Sequence, residues 1–370
     1  MTEMFEALTD KLESFGALGI PAWDCIVYHR GECVYRRFSG FSDYENTVPL
    51  TGEERWNIYS STKHITASAL MQLWEKGEFG LDDPLFVYLP EFEHMTVQTD
   101  NGPVPAKKHI TIRHLLTMTS GYSYDTRSPL IEQCRADTHG RCATRELMPY
   151  LAQMPLLFEP GDRFYYGLSH DIIGALIEVL SGMTLGEYAK KNIFDPLGMV
   201  HSTYSLPDVE LGTVTAHYRL NESKDRLDPC PKTAPHRHGY AYESGGAGCV
   251  TTVEDYIKFL EAIRTGDIIL KKETADLMAT NQLDPRQLES CWAATPFLAK
   301  YGYGYGLGIR CPREGTGLTD FGWEGAAGAF PAVDPAHEMT LFYVQHVLQS
   351  KTVYEKLELL PIAQKIIEKL

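Results

Sequence analysis

The 370-residue chain carries 34 Lys and Arg against 49 Asp and Glu, and its formal net charge of -15 argues against nucleic acid or an anionic membrane surface as a partner. With 44% hydrophobic and 22% charged residues and no biased stretch, its composition is that of a folded protein, not a disordered or repetitive one. The length exceeds what a single hydrophobic core usually serves, so two packed regions are expected.

Met4 to Phe15 reads as a short amphipathic helix. Two β-rich runs follow, Ala22 to His29 and Cys33 to Phe38, joined by a turn at Gly31. Residues 58–76 (IYSSTKHITASALMQLWEK) place Ile65, Leu70, Leu73 and Trp74 at helical spacing, and Gly77 stops the run. From about 82 to 245, helices such as Thr111 to Met118 and Ile172 to Leu180 alternate with Pro- and Gly-punctuated loops, with few convincing strands. Strand patterns return after Tyr301, in YGYGYGLGIR, AAGAFPAV and EMTLFYVQHV. A last helical segment ends at Leu370; Pro361 either kinks it or starts a second turn, and its mixed charges favour packing on a sheet over anchoring in a membrane. The expected fold class is α+β: residues 1–81 and 246–370 form a region with one antiparallel sheet flanked by helices, and residues 82–245 form an inserted, mainly helical region.

The N-terminal run MTEMFEALTDKLESFG has acids where an export signal needs a basic flank, and nothing in the chain approaches a membrane span. Eight cysteines are spread along the sequence, so a cytoplasmic location with free thiols is the expectation. Cys134, His139 and Cys142 lie close together, as do Cys230, His236 and His238, yet neither set has the CxxC pairing of a zinc site. No metal is expected.

A serine hydroxyl is a weak nucleophile until a base takes its proton, and residues i and i+3 on a helix share a face. Ser60 and Lys63 have that spacing, in the single SxxK of the chain, whereas Ser61 points elsewhere. Alone, the motif is weak, and an N-cap serine beside a surface lysine is the better reading of it. This pair opens a largely apolar helix, where burial and the positive helix end both disfavour a charged lysine and suit it as a base. A tyrosine, able to donate and accept, would complete a proton relay.

In order, SSTKHITA, LDDPLFVYLPEF, ITIRHLLTMTSG, PGDRFYYGLSHDIIGALIEVLSG, IFDPLGM and SGGAGCVTTVEDY resemble the serine β-lactamase-like superfamily over nearly the whole chain. The superfamily's fold, an α/β region interrupted by a helical one with the active site at their interface, agrees with the pattern above. The resemblance implies that Ser60 and Lys63 are catalytic and that Tyr166, placed by PGxxFxY, is the relay instead of Tyr165. It also implies an oxyanion hole from the amides of Ser60 and Ala326. The third motif, on a strand beside the nucleophile, is Trp323-Glu324-Gly325; alternation would send Trp323 and Gly325 to the site and leave Glu324 solvated or ion-paired on the other face.

Two departures bear on substrate. The second motif, YxN in β-lactamases, reads Tyr166-Gly167-Leu168, and the lysine of KTG is replaced by Trp323, so two polar anchors for β-lactams are missing. Leu168 and Trp323, with Tyr122 and Tyr124 of SGYSYD, are expected to wall a pocket for an acyl or aryl ester that needs no carboxylate. In these motifs the chain is most similar to family VIII carboxylesterases and LovD-like acyltransferases. GLSHD around Ser169 is not a GxSxG elbow. The expected protein is a serine hydrolase of small-molecule esters, working through an acyl-enzyme without metal or organic cofactor. Alternatives are a β-lactamase or D-amino-acid amidase or peptidase, and, from another class, a non-catalytic penicillin-binding sensor.

Overall fold

The structure, a computed structural model, describes residues 2–232, 237–266 and 268–370. Helix α1 (Glu6–Ala17) leads into β1 (Ala22–His29) and β2 (Glu32–Gly40). Their hairpin turns at Arg30 and Gly31, whose φ values of 54° and 82° give the paired left-handed conformation that a two-residue turn needs. Helices α2 (Thr62–Glu75), α3 (Ser169–Ser181) and α4 (Val253–Thr265) follow, and then β3 (Phe330–Asp334), β4 (Met339–Gln345) and α5 (Leu359–Ile367). The antiparallel sheet runs β3-β4-β1-β2, so the two ends of the chain build one sheet.

Alternation along the strands divides the packing. Trp23, Cys25 and Val27 of β1 and Leu341 and Tyr343 of β4 pack with Leu12 of α1 and Leu360 of α5. Ile26, Phe342 and Val344 belong to the other core, with Tyr256, Phe259 and Leu260 of α4. With a core on each face, β4 is buried at every position. Pro361 does not kink α5: a 3-10 turn, Glu355–Glu358, gives way to the α-helix at Leu359, and Pro361 is its third residue, in the opening turn where an N–H would have no intrahelical partner. Among the described residues no single helix is long and apolar enough to cross a membrane.

The run YGYGYGLGIR contributes only two-residue strands, Gly304–Tyr305 and Arg310–Cys311, because its alternate glycines offer no side chains to pack. Two hairpins also interrupt the helical middle of the chain: Thr96–Thr99 with Gly102–Pro105, and His217–Leu220 with Leu227–Cys230. Their four-residue strands are too short to show an alternation. Val347–Leu348 adds a parallel strand to the second, tying it to the end of the main sheet.

Residues 62–73 of α2 are all buried, and α2 packs against α3. On these helices His64 and His170 leave both ring nitrogens without hydrogen-bond partners. Burial, reinforced by Arg310, pushes His64 down to about 3, and burial with Lys63 holds His170 well below the usual range. His346 is held well below it too, chiefly by burial. An unfolded histidine takes up a proton near pH 6.5 and these folded ones do not, so stability is lost as pH falls below 6.5. Each contributes about 2 kcal/mol of that loss by pH 5. Glu178 on α3 acts in the opposite sense: burial raises it to about 7, so its cost to the fold fades over the same interval. Burial raises Glu243 in the same sense as Glu178, and burial lowers His114 to about 4, so four imidazoles outweigh two carboxylates and the melting temperature is expected to be several degrees lower at pH 5 than at pH 7. Calorimetry showing an equal or higher value at pH 5 would contradict this.

Candidate active site

The chain approaches the site through Tyr59, whose φ of 49° is a left-handed conformation that bulky residues rarely adopt. Its buried ring is held in place by a 2.9 Å hydrogen bond between its hydroxyl and Nε2 of His217. After this reversal a short 3-10 turn, Tyr59–Ser61, presents Ser60 at the head of α2. Ser61 is directed away: its Oγ donates to the Trp323 carbonyl at 2.9 Å, and its own carbonyl accepts from the Tyr256 hydroxyl.

Lys63, fully buried one turn on, donates from Nζ to Ser60 Oγ at 3.1 Å and to the Gly246 carbonyl at 2.7 Å. Gly246 has no room for a side chain, since a Cβ would lie 2.7 Å from Asp171 Oδ2 and 3.4 Å from Lys63 Nζ. Asp171, from the first turn of α3, accepts from the hydroxyls of Tyr242 at 2.8 Å and Ser244 at 2.7 Å. The segment 242–246 is thereby pinned to α3 and delivers one carbonyl to the lysine.

The Tyr166 hydroxyl donates to Ser60 Oγ at 2.8 Å and accepts from Trp323 Nε1 at 3.0 Å. An indole N–H only donates, so the phenol keeps its own proton for the serine. The Tyr166 ring stacks with Trp323 at 5.5 Å and with Tyr124 at 5.4 Å, and Lys63 Nζ lies 4.7 Å from its centroid. Burial holds the Tyr124 phenol well above the usual tyrosine range. Tyr165, by contrast, is 43% exposed. Lys63 and Tyr166 therefore both reach Ser60 Oγ within the distance that proton transfer requires.

Trp323, Glu324 and Gly325 lie just past the isolated bridges at Phe321 and Gly322, where the chain leaves the strand for a turn. The Gly325 amide donates to the Ala329 carbonyl at 2.8 Å and the Gly328 amide to the Gly325 carbonyl at 2.9 Å. Strand alternation therefore does not govern Glu324, which lines the same cavity as Trp323 and Gly325. Its side chain is 9% exposed and pairs with Arg310 at 2.7 Å, so it is ion-paired and not solvated. Gly325 must be glycine, because a Cβ would come within 2.3 Å of the Ile58 carbonyl oxygen.

A cavity of about 330 Å³ opens beside this cluster, lined by Ser60, Tyr166, Trp323, Gly325 and Ala326. Phe297, Val353 and Leu357 add apolar surface, and Glu324 and Lys356 add charge. Of these, Phe297, Val353, Leu357 and Lys356 carry no motif that would have assigned them to a cavity wall. Leu168 and Tyr122 are not brought to the cavity. Leu168 sits in the core at the head of α3, and Tyr122 is buried with its hydroxyl on the Leu151 carbonyl at 2.9 Å. Tyr124 meets the cluster through Tyr166 and Lys63. Glycine-rich SGGAG was a signal for Gly246, and Asp171 stood in the resemblance run PGDRFYYGLSHD without a role assigned to it, whereas Tyr59 had no signal.

Cys134 Sγ and Cys142 Sγ approach to 3.0 Å as free thiols. His236, of the second Cys/His set, lies outside the described residues. Among the described residues no group of three or more His, Cys, Asp or Glu side chains is arranged to hold a metal ion.

A family model described as Beta-lactamase matches residues 8–360. Esterase EstB of Burkholderia gladioli is 31% identical over 280 residues, covering 70% of this chain and 69% of EstB. Lovastatin esterase of Penicillium rubens is 30% identical over 346 residues, covering 83% of this chain and 82% of the relative. The LovD6 mutant of simvastatin synthase from Aspergillus terreus superposes with a TM-score of 0.81 at 24% identity, over 100% of this chain and 98% of that one. EstCE1, a hydrolase with promiscuous acyltransferase activity, gives a TM-score of 0.77 at 22% identity, over 99% and 98%.

Proposed function

Because the chain belongs to the β-lactamase family and has its α+β β-lactamase/transpeptidase fold, we propose that it is a serine hydrolase acting on carboxylic esters through an acyl-enzyme on Ser60. The observation that carries this reading is the convergence of Lys63 and Tyr166 on one hydroxyl oxygen. Ser60 Oγ attacks the ester carbonyl while its proton passes into the Lys63–Tyr166 pair. The oxygen that becomes negative is met by the amides of Ser60 and Ala326. Tyr166 returns a proton to the departing alcohol, and a water then repeats the sequence to release the acid. An alcohol in place of that water would give acyl transfer from the same intermediate.

Esters are favoured over β-lactams by Trp323, which stands at the third motif and commits its single N–H to Tyr166. The apolar cavity surface and the esterases among the named relatives support the same choice. Side by side, p-nitrophenyl butyrate is expected to be turned over with a clearly higher kcat/KM than nitrocefin. Faster nitrocefin turnover would reverse the assignment in favour of a β-lactamase.

A further inference from the structure

Lys356 lines the cavity that opens at Ser60, yet it comes from a short 3-10 turn, Glu355–Glu358, some 300 residues further along the chain. The residue is 6% exposed. Burying an ammonium is costly unless its N–H groups find acceptors. Among the described residues Lys356 Nζ has neither a hydrogen-bond nor an ion-pair partner. Arg310 pairs with both Asp320 and Glu324, and Glu324 gives Oε1 to Arg310, while its Oε2 is buried without a hydrogen-bond partner of its own. Glu324 is close enough to be felt by Lys356 but makes no ion pair with it. Lys356 Nζ thus has three N–H donors with no protein acceptor at the wall of a cavity whose other lining residues are mostly apolar, and the Oε2 of Glu324 in the same wall is not bonded to it.

We propose that Lys356 is a substrate-recognition residue that receives a carboxylate carried by the ester, so that the preferred substrates are anionic esters. A carboxylate supplies the missing acceptor and forms a charge-assisted hydrogen bond that a neutral acceptor does not match. Trp323 removes the cation of the third motif from one side of the cavity, and Lys356 supplies one from another element. This revises the expectation that the ester needs no carboxylate. Burial pushes Lys356 down to about 8 against the pull of Glu324, with Arg310 adding to the push, so it still carries its charge at neutral pH.

The inference rests on the ester reading above, and its test separates the two. Matched pairs of esters are compared in which only the carboxylate changes: p-nitrophenyl hydrogen glutarate against its neutral glutaramide counterpart, and 4-acetoxybenzoate against 4-acetoxybenzamide. The first pair places the anion on the acyl side and the second on the alcohol side. A formal net charge of -15 disfavours anions in general, so a preference for the carboxylate reports a local cation. The wild type is expected to favour the carboxylate member of at least one pair by about tenfold or more in kcat/KM, the scale of one charge-assisted contact. Lys356→Met is expected to cut that ratio by about tenfold, whatever its absolute rate on the neutral ester. Where Lys356→Met does not fold, Lys356→Gln and the wild-type ratio decide. Equal or poorer use of the carboxylate in both pairs, or a preference that survives the loss of Lys356, overturns the inference. Neutral esters still turned over at Ser60 in that case would leave the ester reading standing.

Discussion

Ser60→Ala is expected to abolish turnover of p-nitrophenyl butyrate, with kcat/KM falling at least roughly 10³-fold. Lys63 and Tyr166 both terminate on Ser60 Oγ, so removing that one atom leaves each without its reacting partner. The side chain of Ser60 does not cap α2, and besides Lys63 and Tyr166 it meets the hydroxyl of Tyr124 within the same cluster. The melting temperature should therefore stay within a few degrees of the wild type, which separates lost chemistry from lost structure. Intact-mass spectrometry after a fluorophosphonate should show one adduct on the wild type, mapped to the peptide containing Ser60, and none on the variant. Near-normal turnover by Ser60→Ala would remove the nucleophile from the proposal and revive the non-catalytic reading.

What could be read from the sequence follows the range of the forces involved. The strand at Ala22–His29 has the bounds its pattern implies, because alternation is a local signal. The spacing of Ser60 and Lys63, one helical turn apart, was legible for the same reason, but their roles came from the resemblance. Tyr166 is 106 residues from Ser60, and only its resemblance motif linked the two before the 2.8 Å hydrogen bond did. The facing of Glu324, though not its ion pairing, was misread because alternation was applied where Phe321 and Gly322 make only isolated bridges and no strand continues. Leu168 was expected at the pocket as the third residue of the second motif and Tyr122 as part of SGYSYD, yet a helix cap and the Leu151 carbonyl draw them into the core. Lys356 could not be found from sequence at all. A lysine in a charged C-terminal run looks solvated until tertiary packing buries it beside the cavity.

Lys63→Met carries the second large effect, because the two side chains are similar in length and differ at the tip. Methionine keeps the packing within α2 but donates no hydrogen bond, so both Ser60 Oγ and the Gly246 carbonyl lose a donor. Leaving that carbonyl unsatisfied costs about 1–3 kcal/mol. Removing a fully buried amine relieves a desolvation penalty of the opposite sign, so the net change in stability is expected to be small. Activity has no such compensation. Both Lys63 and Tyr166 donate to Ser60 Oγ in the resting arrangement, and the proposed relay assigns the serine proton to Lys63 because the Tyr166 oxygen is already engaged by Trp323. The loss of a general base predicts a fall of about 10²–10⁴-fold in kcat/KM. Tyr166→Phe should also be impaired, since it removes the donor to Ser60. If the two act as one relay, the double variant should be little worse than the poorer single variant. Losses that multiply in full would mean that Lys63 and Tyr166 act on Ser60 independently, and the shared path for the proton would have to be abandoned.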